Sequence, residues 1–417
     1  MARPDPVLLL TLAAGCQTPA RAPITVTDSA GVRAVRIGNL NEVEFPAWST
    51  RLLGSSAQQD SVQLGSMFTG GFNADSSFLL TGGSELFVLD RQGRFAGTVG
   101  RNGDGPGEFR QAVWLLIAAD GTPVVGELTG RLTNIRPTGE ALRIIAHLGR
   151  GSGTEVAPIT MLPDGRVLAT RWQERPNRGE MPGILQGAVE RDSAPLVVHD
   201  SMGQARSRLG LWLGVERAMV RIDDEPSRLP VRFARSVAAD GRGSLTVIGP
   251  TDSLDFSLYD GTSLVLRLIG GQPTSRPNPQ IIADWERTVR EQDPDVAASY
   301  LRAIESAPEV DRLPAIGGVV VDDAGNLWVG DCAVVSGSRR WRVFSRSGQP
   351  VGQLGLPAFN HSFVPGTWEL LDVYGDRLAV RRRLPTGEIV VELLVLRRGI
   401  SDRKGIRFRK WGLTVAG

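Results

Sequence analysis

Cysteine is almost missing from this chain: two residues in 417, Cys16 and Cys332. With Cys16 read as modified (below), no disulfide framework can be built, and no CxxC pair points to a structural metal. Histidine is nearly as scarce, with His147, His199 and His361 and no HExxH spacing, so a Cys/His metal centre is poorly supplied. Lysine occurs only as Lys404 and Lys410. The other basic residues are arginine, which reads as a bias of composition and not as a phosphate-reading surface. With a formal net charge of +2, no strong field draws the molecule to nucleic acid or to a membrane. The apolar run at residues 7–14 is too short to span a bilayer.

What the chain has instead is turn formers. Its 50 glycines and 26 prolines are spread along the whole length, and a hydrophobic content of 41% suffices for a real core. Together these predict many short strands with tight connections, an all-β protein. Residues 1–15, MARPDPVLLLTLAAG, read as an export signal with 7–14 as its apolar region. Ala13-Ala14-Gly15-Cys16 resembles the lipobox of bacterial lipoproteins, which implies cleavage before Cys16 and lipid attachment to it. An ordinary signal peptide with a chance cysteine is the alternative. Residues 16–23 then form a polar tether. Gln17 stands where an Asp would hint at inner-membrane retention, so the analogy points to the outer membrane, facing the periplasm or the exterior.

Two kinds of turn alternate along the rest. Tight ones follow short apolar strands, at Asp75-Ser76, Asp120-Gly121, Asp164-Gly165, Asp240-Gly241, Asp323-Ala324-Gly325 and Gly375-Asp376. Asp-Gly suits two-residue hairpins in which both positions take positive φ. Looser turns fall at 90–93, 137–139, 200–203, 260–261 and 345–348. Two successive hairpins make a four-stranded antiparallel sheet. Such a sheet cannot bury both faces alone, so neighbours must stack, and sheets stacked about an axis form a β-propeller. The spacing predicts six blades, at 72–100, 113–149, 157–210, 231–270, 316–356 and 367–397. The last has room for three strands, and residues 24–37, ITVTDSAGVRAVRI, are expected to supply its fourth and close the ring. Residues 172–195 read as a long loop inside the third blade. Residues 272–315 read as a helical insertion between blades four and five: Ile281, Ile282, Trp285 and Val289 lie at helical spacing, and Pro294 separates a second piece, 296–304. A single domain over 24–400 is expected, with 401–417 as a tail.

Several motifs carry a family resemblance. Asp28-Ser29-Ala30-Gly31-Val32-Arg33, Phe87-Val88-Leu89-Asp90 with Gly93, and above all Gly100-Arg101-Asn102-Gly103-Asp104-Gly105-Pro106-Gly107-Glu108-Phe109 resemble bacterial six-bladed β-propeller proteins related to NHL repeats, often lipid-anchored. Asp323-Ala324-Gly325-Asn326-Leu327-Trp328-Val329 matches the family's strand pair. The resemblance implies the fold but leaves the activity open.

Candidates for chemistry are thin. The glycine run 103–107 lacks a GK[ST] ending and opens no helix, so it reads as a sharp inter-blade turn in which Glu108 bonds backbone amides, not as a phosphate loop. Asp331-Cys332 with His361 could form an activated nucleophile; a buried Cys acting as a small hydrophobe is the plainer reading. Glu85, Glu127, Asp331 and Glu369 stand near strand ends, where propellers similar to gluconolactonase hold Ca²⁺ or Mg²⁺ on oxygen ligands; solvated turn charges are the alternative. Asp223-Asp224-Glu225 reads as a solvated loop. The basic stretch 377–410, with Arg381-Arg382-Arg383, Arg397-Arg398 and Arg403-Lys404, could meet anionic lipid or polysaccharide or be a solvated arginine face. It lacks the aromatic platforms of nucleic-acid binding.

The expectation is therefore a lipid-anchored cell-envelope propeller, a scaffold that binds a protein or small-molecule ligand on one face. It meets the membrane through its anchor only and takes no nucleic acid, and neither a catalytic, metal nor cofactor residue can be named. The alternative is a Ca/Mg-dependent lactonase-type hydrolase with its ion on the axis. An arginine-lined or apolar axis would favour the scaffold; converging free carboxylates would favour the enzyme.

Overall fold

The computed structural model describes residues 24–56, 69–136, 141–148, 154–174, 189–222, 225–271, 276–277, 279–292, 294–305, 307, 312–335, 338–357, 369–384 and 388–398. Cys16, His361 and the segments 1–23 and 399–417 lie outside them. The protein is all-β, and its strands fall into six sheets among the described residues.

Sheet one comprises Gly70–Phe72, Phe78–Gly82, Glu85–Leu89 and Phe95–Val99. Sheet two is Ala112–Ile117, Pro123–Glu127, Arg131–Ile135 and Ala141–His147. Sheet five is Ile316–Val321, Leu327–Val335, Ser338–Phe344 and Pro350–Pro357. Each is a four-stranded antiparallel meander. Sheet three (Thr154–Met161, Val167–Glu174, Val189–His199, Ala205–Ile222, Glu225–Pro230) carries a fifth strand. Its 205–222 strand outruns the sheet and turns back on itself, with Ile222 opposite Glu225. The expected loop at 172–195 is thus partly strand, since Val189–His199 pairs along Ala205–Ala218. Glu225, expected in a solvated loop, opens a strand; Asp223 and Asp224 lie outside the described residues.

Sheet four (Val237–Arg242, Leu245–Pro250, Leu254–Asp260, Ser263–Gly270) is extended by the N-terminal hairpin, Ile24–Ser29 and Val32–Ile37. The hairpin lies parallel on the outer strand, Arg33 opposite Leu266 and Ile37 opposite Gly270. This corrects the expectation that residues 24–37 complete the sixth sheet. Sheet six (Leu370–Tyr374, Arg377–Arg383, Ile389–Arg398) takes its fourth strand from Trp48–Ser55, antiparallel, with Val395 opposite Arg51.

The first strand of each sheet lies against the first strand of the next, and that of sheet six against that of sheet one, so the six surround an axis. Hydrophobic cores sit between consecutive sheets. Phe72, Phe78 and Leu80 meet Val391 and Leu393 between six and one; Leu79, Leu86 and Phe109 meet Val125 and Ile135 between one and two; Val247, Leu258 and Leu268 meet Val319, Val329 and Phe344 between four and five. Each sheet alternates, so each of its faces belongs to a different core.

Helices α1 (Pro279–Gln292) and α2 (Pro294–Glu305) occupy the insertion. Proline is tolerated at the first position of α2, where its missing N–H would be unpaired anyway. Trp285, Leu301 and Ile304 pack with Phe233, Leu313 and Cys332, and Ala303 packs with Val220 of the long hairpin and with Val231 just after it. Helices and hairpin together form a cap beside the start of sheet five.

The tight turns are tighter in φ than expected. At 118–122 only Gly121 has positive φ (81°). Asp120 instead accepts the N–H of Thr122 on its side chain at 2.9 Å, an Asx-type turn. Asp164 does the same for Arg166, and in the looser turns so do Asp90 for Gln92 and Asp200 for Met202.

Candidate functional site

A sheet edge facing the axis exposes backbone N–H groups that need partners. In this protein side chains of the neighbouring sheet supply them. Asp240, on the first strand of sheet four, accepts the N–H of Val321 of sheet five at 2.6 Å. Asp372, on the first strand of sheet six, accepts that of Phe72 of sheet one at 2.7 Å. Between sheets one and two the hydroxyl of Thr69 accepts the N–H of Leu115 at 2.8 Å.

The turn after the first strand of sheet four crosses the axis at this end. Arg242 donates to both carboxylate oxygens of Asp372, at 2.7 and 2.8 Å, and to the carbonyl of Phe72 at 3.2 Å. Its guanidinium lies 5.3 Å from the centre of the Tyr374 ring, a cation–π distance. Gly243 donates to the carbonyl of Ile117 at 3.2 Å and accepts from the Thr160 hydroxyl at 2.8 Å. Tyr374 donates to the Ala74 carbonyl at 3.3 Å, and Gly375 to Asp323 Oδ1 at 2.8 Å. One turn thereby touches sheets one, two, three and six.

The expected turn at Asp240-Gly241 is corrected here: both residues are strand, opposite Val247 and Thr246, and the turn is Gly243-Ser244. Asp240 is half-buried, and its Oδ2 is turned to the backbone of sheet five by the Val321 bond. Burial pushes its carboxyl up to about 7; the N–H of Val321 pulls the other way and Asp372 adds to the rise. Burial also raises Asp372 despite Arg242. Burial alone would lower Arg242, but Asp372, Asp323 and Asp240 more than offset it.

Three of the four carboxylates singled out in the sequence are held by arginines. Glu127 pairs with Arg131, both buried, and accepts the N–H of Arg110 at 2.8 Å. Arg131 also donates to the carbonyls of Gly103, Asp104 and Glu108, so it pins the glycine-rich connector. Within that connector Glu108 accepts from Gly105 N–H at 2.9 Å, as expected. Asp331 pairs with Arg342 and, at 3.1 Å, with Arg340. Glu369 pairs with Arg339 and accepts from Trp341 Nε1, each at 3.0 Å. Glu85 is half-buried at a strand start in sheet one. Among the described residues no three His, Cys, Asp or Glu side chains are placed to share a metal ion.

Cys332 lies in the cap core, 2% exposed, and burial pushes its thiol up to about 12. At neutral pH it is a protonated hydrophobe, not a nucleophile. The basic stretch is not one solvated face. Arg381 is fully buried, with its pKa lowered by burial to about 10 against the pull of Glu369. Arg382 pairs with Glu392 at 3.0 Å, and Arg398 covers the Trp48 ring at 5.6 Å. Among the described residues no helix is long and apolar enough to cross a membrane.

No family model matches the chain, and no curated protein matches it. Solved structures similar to it include a protein of Bacteroides fragilis described as exported, 12% identical with TM-score 0.45, over 88% of this chain and all (100%) of that one. A gluconolactonase from Xanthomonas campestris is 14% identical with TM-score 0.40, over 85% and 96%. A chain of the mitotic checkpoint complex is 10% identical with TM-score 0.37, over 94% and 98%. All three stay under a TM-score of 0.5, and the fold is read from this chain's own sheets.

Proposed function

We propose that this chain is a six-bladed β-propeller of the NHL-related bacterial kind. On this reading it is exported, anchored at the cell envelope through lipid on Cys16, and binds a protein or small-molecule ligand on one face. The observation that carries the scaffold reading is the arginine across the axis. A lactonase-type site needs free oxygen ligands pointing inward, and here Asp372 is clasped by Arg242 on both oxygens. Glu127, Asp331 and Glu369 are each paired with an arginine, Arg131, Arg342 and Arg339. The circular order of the sheets supports the propeller, with the 48–55 strand completing the last blade.

Thermal-shift titration of the purified protein with Ca²⁺ and Mg²⁺, run beside a lactone-hydrolysis assay, tests the scaffold reading. No saturable shift and no turnover are expected. A saturable shift with turnover, both lost in Asp372→Asn, would replace the scaffold by the metal-dependent hydrolase. The anchor is tested separately: Cys16→Ser should move the protein from the membrane to the soluble fraction and abolish fatty-acid labelling. Labelling that survives the change would refute attachment at Cys16.

A further inference from the structure

Arg242 lies beside two carboxylates, the buried Asp372 and the half-buried Asp240. Asp372 lies across the axis; Asp240 lies two residues back on the same strand, and residues i and i+2 of a strand share a face. The guanidinium is spent on Asp372 and on the carbonyl of Phe72, while Asp240 is held only through backbone, by Val321 N–H and the N–H of Gly241. Two ionised carboxylates around one guanidinium inside protein repel each other, and the repulsion is weakly screened there.

We propose that the Arg242 bridge is a proton-operated latch on this mouth of the axis, shut while Asp240 is protonated and loosened when Asp240 ionises. With Asp240 neutral, Arg242 belongs to Asp372 and ties sheet four to sheets six and one. With Asp240 charged, the guanidinium has a second counter-ion on its own strand, and Asp372 is repelled by a new like charge. Both effects weaken the cross-axis bonds, and the turn at 243–244 is released with them. The latch goes beyond the scaffold reading and holds whichever face binds.

The groups facing Asp240 are few. Its own strand contributes Arg242, sheet six Asp372, and the turn after the first strand of sheet five Asp323, which acts on Arg242. Asp322 in that turn is engaged by Asn326 and Trp328 of its own sheet. Toward the axis sheets two and three present Ile117 and Thr160, which do not titrate. The paired strand opposite places Val247. Glu216 of the long hairpin is engaged by Arg235. The pH near 7 at which Asp240 changes charge makes the latch responsive around neutrality.

The test is amide hydrogen exchange at Phe72 and Gly243, each rate divided by its intrinsic rate at that pH, from pH 5.5 to 8.5. In the unaltered protein protection should fall by about tenfold or more, one pKa unit of coupling being a factor of ten, with a midpoint near 7. Asp240→Asn keeps an oxygen for Val321 N–H and should stay protected throughout. Arg242→Gln should be poorly protected at every pH. Protection that ignores pH in the unaltered protein, or a pH dependence that persists in Asp240→Asn, would overturn the latch. Should Asp240→Asn not fold, the ¹³C titration of the Asp240 carboxyl in the unaltered protein decides: a midpoint near 4 would equally overturn it.

Discussion

Asp240 and Asp372 answer one requirement at two seams: a first strand shows its inner edge to the axis, and a carboxylate one sheet away takes its N–H. The two differ in their charge partner, and that difference sets the pH behaviour. Asp240 has a folded pKa above its ordinary value of 3.8, so its contribution is complete at acid pH and is lost as pH rises through about 7, up to about 4 kcal/mol for a three-unit shift. Turn carboxylates act oppositely. Asp200 is lowered by the N–H of Gln204, with Arg206 adding to it, and Glu108 by the N–H of Gly105 and by Arg101, so their contributions are lost as pH falls below the ordinary carboxylate range. The melting temperature should therefore peak between about pH 4 and 7. Asp240→Asn should flatten the alkaline limb and melt above the unaltered protein at pH 8; calorimetry across pH 4–9 checks both. The sequence hid this residue. Asp-Gly is a strong turn signal, and in Asp240-Gly241-Arg242-Gly243 the second glycine, with φ of 59°, takes the turn instead. Nothing local distinguishes the two; the register with Leu245–Pro250 decides.

At the scale of elements, the connector and the cap carry the most specific contacts. Removing Arg131 strands Glu127, 1% exposed, together with carbonyls of the connector. Arg131→Met should cost about 3–5 kcal/mol, as expected for a buried charge left alone, read as a drop in the denaturation midpoint. The cap rests on Trp285, edge-on to Phe233 at 6.1 Å and covered by Arg232 at 5.2 Å. Trp285→Ala should cost about 3–5 kcal/mol, and the loss should be local. Maleimide labelling in a Cys16→Ser background should show Cys332 inert in the parent and reactive in the variant. The helices were legible because Ile281, Ile282, Trp285 and Val289 repeat at 3.6 and prolines bound them. The long hairpin was not. Leu211 and Leu213, 55% and 59% exposed, alternate as a strand should, but their apolar side faces solvent, and a pattern without a buried face is hard to place.

At the scale of the molecule, six cores lie between successive sheets among the described residues, and the last sheet is completed by a segment the sequence hardly advertises. Residues 24–37 alternate strongly around Ala30-Gly31 and look like the missing strand; they only widen sheet four. Trp48–Ser55 has mixed residues, none of them fully buried, yet its backbone completes sheet six, and its Gly54 abuts the turn of sheet one. A Cβ on Gly54 would lie 1.8 Å from the carbonyl oxygen of Gln92, a collision of backbone with side chain that no rotamer relieves. The two N-terminal segments therefore separate by mutation. Deleting 24–38 uncovers Val35's neighbours in sheet four and should lower the melting temperature while leaving one sharp transition. Gly54→Ala removes no chain at all but pushes sheet one away from sheet six, so it should broaden the transition and expose the core of Phe72, Phe78 and Val391 to a hydrophobic dye before the main melt. If Gly54→Ala melts as sharply as the parent while the deletion of 24–38 does not, the junction of sheets six and one depends on the hairpin and not on the 48–55 strand.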